Sequence, residues 1–247
     1  MDLFALPPVA ALLDLVTTGL MAVIAFLTPV AGPLAAGFSV VLITLGVRTL
    51  LIPVGVAQAR AEQARSRLAP RLQVLRQRHR TEPDRLRRET MALYREEGVS
   101  PSAGCLPLVL QAPVVGLVYA AFLHASIAGH GNPLLDQTLL GVPLGRSFVG
   151  AVLAQQLDAA TAIVIGVVVI VIAVVGELTR RLLLPSADAR SGVAAAHPVV
   201  GALQFATAVV ALFVPLAAAV YLMTTAAWTL GQRLILRRRY PPFSAPR

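Results

Sequence analysis

The residue most able to do chemistry in this chain is Arg48, which stands in the middle of an apolar run, residues 36–57. A guanidinium at mid-bilayer costs about 3 kcal/mol on insertion scales and more than about 10 when a lone helix is simulated. The cost falls if the side chain faces a water-filled cavity, or if it pairs with an acid. Asp14, Asp158 and Glu177 all lie near the ends of apolar segments, and the other acids lie in loops. With no mid-span carboxylate, a hydrated cavity is the favoured reading. Thr44 is one turn from Arg48 on the same helix face. Gln111, Gln204, Tyr221, Thr225, Trp228 and Gln232 are further polar or amphipathic residues inside apolar runs, the last four at helical spacing. Taken singly, each has a simpler explanation: a threonine bonds back to its own helix, and a glutamine makes an interhelical hydrogen bond.

Other chemistries find little support. The four histidines, 79, 124, 130 and 197, form no spaced pair of metal ligands on a helix. No P-loop, dinucleotide fingerprint or nucleophile elbow is present, and no nucleophile with a base sits at membrane depth. An enzyme is not expected, nor is a cofactor or metal. The single cysteine, Cys105, excludes an internal disulfide framework.

Composition names the solvent of the elements that must carry Arg48. The 247 residues are 57% hydrophobic and 13% charged, against about a quarter charged in soluble domains. Net charge is +9, and every basic residue is arginine. The arginines cluster beside apolar runs, as the positive-inside rule expects for a membrane protein and unlike a nucleic-acid binder. No basic residue precedes Arg48, so a conventional cleaved signal is not expected.

The expected fold is all-α and polytopic, with five transmembrane helices. Residues 1–35 hold an apolar helix with Asp14 and no flanking arginine, which favours an outer, interfacial position over a crossing. Residues 36–57 are the first span, with Pro53 a source of a kink. Residues 58–103 form a charged two-helix hairpin standing in water. Leu68, Leu72 and Leu75 mark one apolar stripe, and Leu86, Leu93 and Tyr94 another. Thr81 is the candidate N-cap of the second helix, with Pro83 in its first turn. Residues 104–123, 159–177, 198–214 and 215–236 are the remaining spans. Residues 124–158 form an outer loop region, 178–197 an inner loop, and 237–247 a basic tail. With the hairpin, inner loop and tail inside, 19 of 21 arginines are cytoplasmic, one is in the membrane and one outside. That places the chain in the plasma membrane with its C-terminus cytoplasmic and its N-terminus outside.

Three stretches carry a resemblance. VVLITLGVRTLLIPVGVAQ resembles the first core helix of YidC/Oxa/Alb membrane protein insertases, in which a groove arginine is followed by proline and then glutamine. EEGVSPSAGCLPLVLQAP, from Glu96 to Pro113, is similar to that family's signature. FVPLAAAVYLMTTAAWTLGQRLILRR resembles its final turn and helix, although the family's usual glycine and tryptophan near the turn are absent from PLAAAVYLM. The resemblance is strong over residues 36–125 and moderate over 197–239.

It implies a five-helix core around a hydrophilic groove, open to the cytoplasm and to lipid and closed outside. Arg48 takes the place of the groove arginine and Gln111 that of the second-span glutamine. The expected partners are nascent membrane-protein clients and lipid, with the ribosome at the basic tail and a Sec translocon as further contacts. The hairpin, through arginines such as Arg71, Arg78, Arg85 and Arg88, is the expected client or partner contact. Two rivals stand beside this reading. A small transporter or channel would show a midplane substrate site or repeats. A non-catalytic assembly scaffold would use the hairpin and leave Arg48 idle.

Overall fold

The computed structural model describes residues 7–98, 116–122, 124, 126–127, 130–183 and 205–241. It is mainly helical. Helix α1 (Pro7–Ala31) buries Leu13, Thr17, Leu20 and Ile24, a stripe at intervals of three and four, and packs against α2 (Ala35–Leu50). Between them Gly32 adopts a φ of 49°, a left-handed conformation that glycine takes without steric cost. The 3-10 turn Gly32–Leu34 follows.

α2 ends at Leu50, and α3 (Ile52–Arg78) begins after a break at Leu51. Pro53 has no N–H to give the carbonyl of residue 49 and its ring crowds that turn, so the helix axis breaks here. The flanking bonds survive: Leu51 N–H donates to the Val47 carbonyl at 3.0 Å and Gly55 N–H to that of Leu51 at 3.1 Å. The apolar run over 36–57 is thus divided. Its last turn and the polar sequence after it form one continuous helix.

α3 packs against α4 (Pro83–Glu96), with Leu68 and Leu93 buried between them. His79, also buried, holds its Nε2 3.0 Å from the Glu89 carboxylate. The residue before the first turn of α4 is Glu82 and not Thr81, and its side chain makes no capping bond. Pro83 supplies the start instead, because its fixed φ suits the first helical position and its missing N–H needs no partner.

Residues 116–121 are helical (α5). The following segment, expected as a loop region, is a compact cap. Strands β1 (Ser126–Ile127) and β2 (His130–Gly131) pair antiparallel, as do β3 (Thr138–Leu139) and β4 (Val142–Pro143), with a 3-10 turn at Pro133–Asp136 between the pairs. The buried Asn132 ties this cap together. Its Nδ2 donates to the carbonyls of Ala121 (2.6 Å) and His124 (2.9 Å), and its Oδ1 accepts from the Leu134 N–H (3.1 Å). Short helix α6 (Phe148–Leu153) starts on the Ser147 side chain, which accepts from the Gly150 N–H at 3.1 Å.

Three long helices start at this cap. The β3–β4 turn reaches the start of α2 through Leu140 N–H to the Pro33 carbonyl, at 3.3 Å. Arg146 reaches Thr161 at the start of α7 (Ala159–Leu183), where Asp158 accepts the Thr161 N–H at 3.0 Å. The carbonyls of Arg146 and Leu144 accept the first N–H groups of α9 (Leu216–Arg239), at 2.8 and 3.0 Å. Helix ends leave such donors without intrahelical partners, and here the cap supplies them. α8 (Ala206–Ala211) packs on α7 and leads into α9. α2, α7 and α9 therefore run in one direction from a shared end, α9 packed against both of the others.

α7 is apolar on all sides. It buries Ile165, Val168 and Ile172 toward its neighbours, yet Ile163, Val167, Ile170 and Val174 are exposed. At about 1.5 Å per residue its 25 residues exceed the roughly 30 Å of a bilayer core. It and the Pro7–Leu50 stretch are the two helices among the described residues long and apolar enough to cross a membrane.

Candidate functional site

Arg48 occupies the face of α2 that packs inward. Val40, Thr44 and Arg48 follow at intervals of four. Val40 and Thr44 are buried and Arg48 is half-buried, while Leu42 and Leu50 on the other side are exposed. Opposite stands α9, which brings the buried Tyr221 close to Arg48. Among the described residues Arg48 makes no ion pair; the nearest acids in sequence, Asp14 and Glu62, lie elsewhere, Asp14 exposed and Glu62 bound to Arg237.

The other candidate residues divide. The Thr44 hydroxyl donates to the Val40 carbonyl of its own helix at 2.6 Å, so its polar atom is spent locally. Thr224 and Thr229 do the same. Thr225 differs: its buried Oγ1 makes no bond back to its own helix and lies beside the Tyr221 hydroxyl one turn earlier. Trp228 Nε1 donates to Gln232 Oε1 at 3.2 Å, one turn further along α9. Tyr221, Thr225, Trp228 and Gln232 thus form one stripe on α9, with Arg48 facing its upper end. Gln111 and Gln204 lie outside the described residues.

The lower end of the stripe meets α3 at Gly55, which the sequence alone did not single out. A Cβ built at Gly55 would fall 1.9 Å from Gln232 Nε2. Only a hydrogen at that position lets the glutamine amide lie against the α3 backbone. A glycine seven residues after a mid-span arginine, at a spacing that would share a face in an unbroken helix, was the available signal.

The hairpin arginines are on the surface. Arg71 pairs with Glu97. Arg85 contacts Glu89 and Glu82, whose hydrogen bonds hold its guanidinium above the ordinary arginine value. Arg78 and Arg88 are exposed and make no ion pair among the described residues. The basic tail is split. Arg237, Arg238 and Arg239 continue α9, three residues past the expected end of that span. Arg237 turns back: its Nη1 donates to the Leu183 carbonyl at the end of α7 (2.7 Å) and its Nη2 to Glu62 of α3 (3.1 Å). Arg238 and Arg239 remain exposed. No group of three or more potential metal ligands occurs among the described residues.

Among the described residues the arrangement offers a cation and amphipathic side chains on the inner faces of apolar helices. A family model described as 60Kd inner membrane protein matches residues 26–242. A membrane protein insertase YidC of Streptomyces avermitilis is 26% identical over 230 residues, covering 84% of this chain and 52% of that protein. The insertase MisCA of Bacillus subtilis is 33% identical over 99 residues, 38% of either chain. A YidC of Clostridium perfringens is 34% identical over 84 residues, 34% of this chain and 35% of its own length. The matched part therefore spans between a third and a half of these relatives.

Proposed function

The chain belongs to the 60Kd inner membrane protein family, and from that premise we propose that it is a membrane protein insertase that passes nascent clients into the bilayer along a polar groove containing Arg48. The observation that carries this reading is a half-buried guanidinium on the inward face of an apolar helix, next to Tyr221 and with no carboxylate paired to it among the described residues. Arg48 is 13 residues beyond Ala35, roughly 20 Å along the helix from the capped end. A charge at that depth is tolerable where water or a polar client reaches it.

The rest of the molecule supports the direction of entry. Of the described arginines only Arg146 belongs to the cap. The hairpin, Arg180, Arg181 and the end of α9 gather the others, apart from Arg48. By the positive-inside rule the cap then faces outward and the hairpin the cytoplasm. α2, α7 and α9 run the same way, which agrees with a five-span core in which the apolar stretches 104–123 and 198–214 would supply the return crossings and the cap would lie outside. A client's acidic segment would be drawn toward Arg48 by Coulomb attraction, strong in low dielectric. Its apolar helix would leave sideways into lipid, driven by hydrophobic transfer. No nucleotide is required. The hairpin would meet clients first. The exposed Arg238 and Arg239 would contact the ribosome, and a Sec translocon would be a further partner.

The test is insertion of a single-span client with an acidic translocated tail into proteoliposomes. Arg48→Ala is expected to lower the yield on the order of tenfold and Arg48→Lys to restore part of it, since the loss is one of charge. Full yield in the Ala variant would replace the groove by a scaffold in which the hairpin alone is functional. Photo-crosslinks from a stalled client to position 228 are expected; insertion without them would exclude this path.

A further inference from the structure

The hairpin is joined to the membrane core through a broken helix, so something else must hold its direction. α3 continues as one helix from Ile52 to Arg78, with Pro70 inside it, whereas its connection to α2 leaves the helix altogether at the single residue Leu51, followed by the missing donor of Pro53. A broken turn bends more readily than a continuous helix.

What α3 packs on, besides α4, is the end of α9. The contacts are mostly polar and spread over about two turns of α3 and the last residues of α9 and just beyond it. Gly55 meets Gln232. Glu62 accepts from Arg237, and the same guanidinium caps the α7 carbonyl at Leu183. Arg60 Nη2 and Nε donate to the Tyr240 hydroxyl at 3.2 and 3.4 Å, and its guanidinium carbon lies 5.5 Å from the centre of that ring. Gln63 Nε2 donates to the Pro241 carbonyl at 3.1 Å. Arg60 and Glu62 lie about 200° apart around α3, so the end of α9 grips the helix from two sides. The Arg60 bond also lowers the Tyr240 hydroxyl below its ordinary value, with the neighbouring charge of Arg239 acting in the same sense.

Each contact alone is an exposed or half-exposed pair worth little. Arg237 is the exception in geometry, because one guanidinium joins three helices and its planar fork reaches two acceptors at once. It also places a cation at the C-terminal end of α7, where the helix dipole favours it.

We propose that the end of α9 is a clamp that sets the direction of the hairpin, with Arg237 as its positioning residue, and that releasing the clamp lets the hairpin turn about Leu51. The clamp does not depend on what the hairpin carries, so it can be tested without any client.

The experiment uses the full chain in lipid nanodiscs, in a Cys105→Ser background, with nitroxides at Gln77→Cys near the hairpin tip and Thr138→Cys on the cap. Pulsed electron resonance reads the distance between them. The parent should give one narrow distribution. Arg237→Ala should broaden it at least twofold, and Glu62→Gln, which leaves the Leu183 bond in place, should broaden it less. A disulfide joining Gln63→Cys to Pro241→Cys in the Arg237→Ala chain should narrow it again. Unchanged helicity in circular dichroism separates loss of direction from loss of fold; Glu62→Gln, a surface change, covers the case in which Arg237→Ala does not fold. A distribution equally narrow in the parent, Arg237→Ala and Glu62→Gln overturns the proposal. So does a disulfide that forms and leaves the distance broad.

Discussion

A guanidinium, a glycine and a glutamine show how little polar material this interior needs. Arg48 has no paired acid among the described residues, and the Gln232 amide lies where a side chain at Gly55 would stand. Gly55→Ala puts two magnitudes against each other. Alanine favours the helix by about 1 kcal/mol. Its Cβ must push the Gln232 amide aside, which breaks the Trp228 bond at a cost of about 1 kcal/mol. Stability should therefore change by less than about 1 kcal/mol, while the indole loses its partner. Trp228 is the only tryptophan, so its fluorescence reads this spot alone. A shifted emission maximum with unchanged thermal unfolding is expected; an unmoved maximum would mean that Gln232 does not rest on Gly55.

Among the elements, the cap has the most to lose from one substitution. Asn132 satisfies three backbone groups with one side chain. Asn132→Ala leaves them buried without partners, each worth about 1–3 kcal/mol if water cannot reach it. The cap also supplies acceptors to the first turn of α9, so its loosening should be felt along that helix. Chemical unfolding in detergent is expected to show a loss of roughly 1–3 kcal/mol in total, because partial rehydration recovers some of the cost. Retention of full stability would show that water already serves these groups. None of this was legible beforehand. The stretch 124–158 reads as mixed loop because its order comes from two-residue strands and side-chain bonds, which leave no periodicity.

At the scale of the whole molecule the outward side of α7 decides which solvent the protein lives in. Ile170 is exposed on a helix buried on its other side. Ile170→Arg is expected to cost about 3 kcal/mol of membrane integration, seen as a fraction extracted by alkaline carbonate. Full retention would mean that this side faces protein or water.

That α2, α7 and α9 are helical, and that Arg48 shares a side with Val40 and Thr44, follow from local pattern, because a 3.6-residue period sets which residues share a side. The amphipathic stripes of the hairpin follow in the same way, through Leu68 and Leu93. The start of α4 followed only in part, since Pro83 and not the Thr81 hydroxyl begins that helix. Three adjacent arginines at the end of α9 look alike in the chain, yet Arg237 alone turns inward to α3 and α7, while Arg238 and Arg239 stay in solvent. That difference belongs to the tertiary structure. Glu62 and Leu183 are 175 and 54 residues away from Arg237, and no local period reports which distant side chains a crossing of helices will bring within reach.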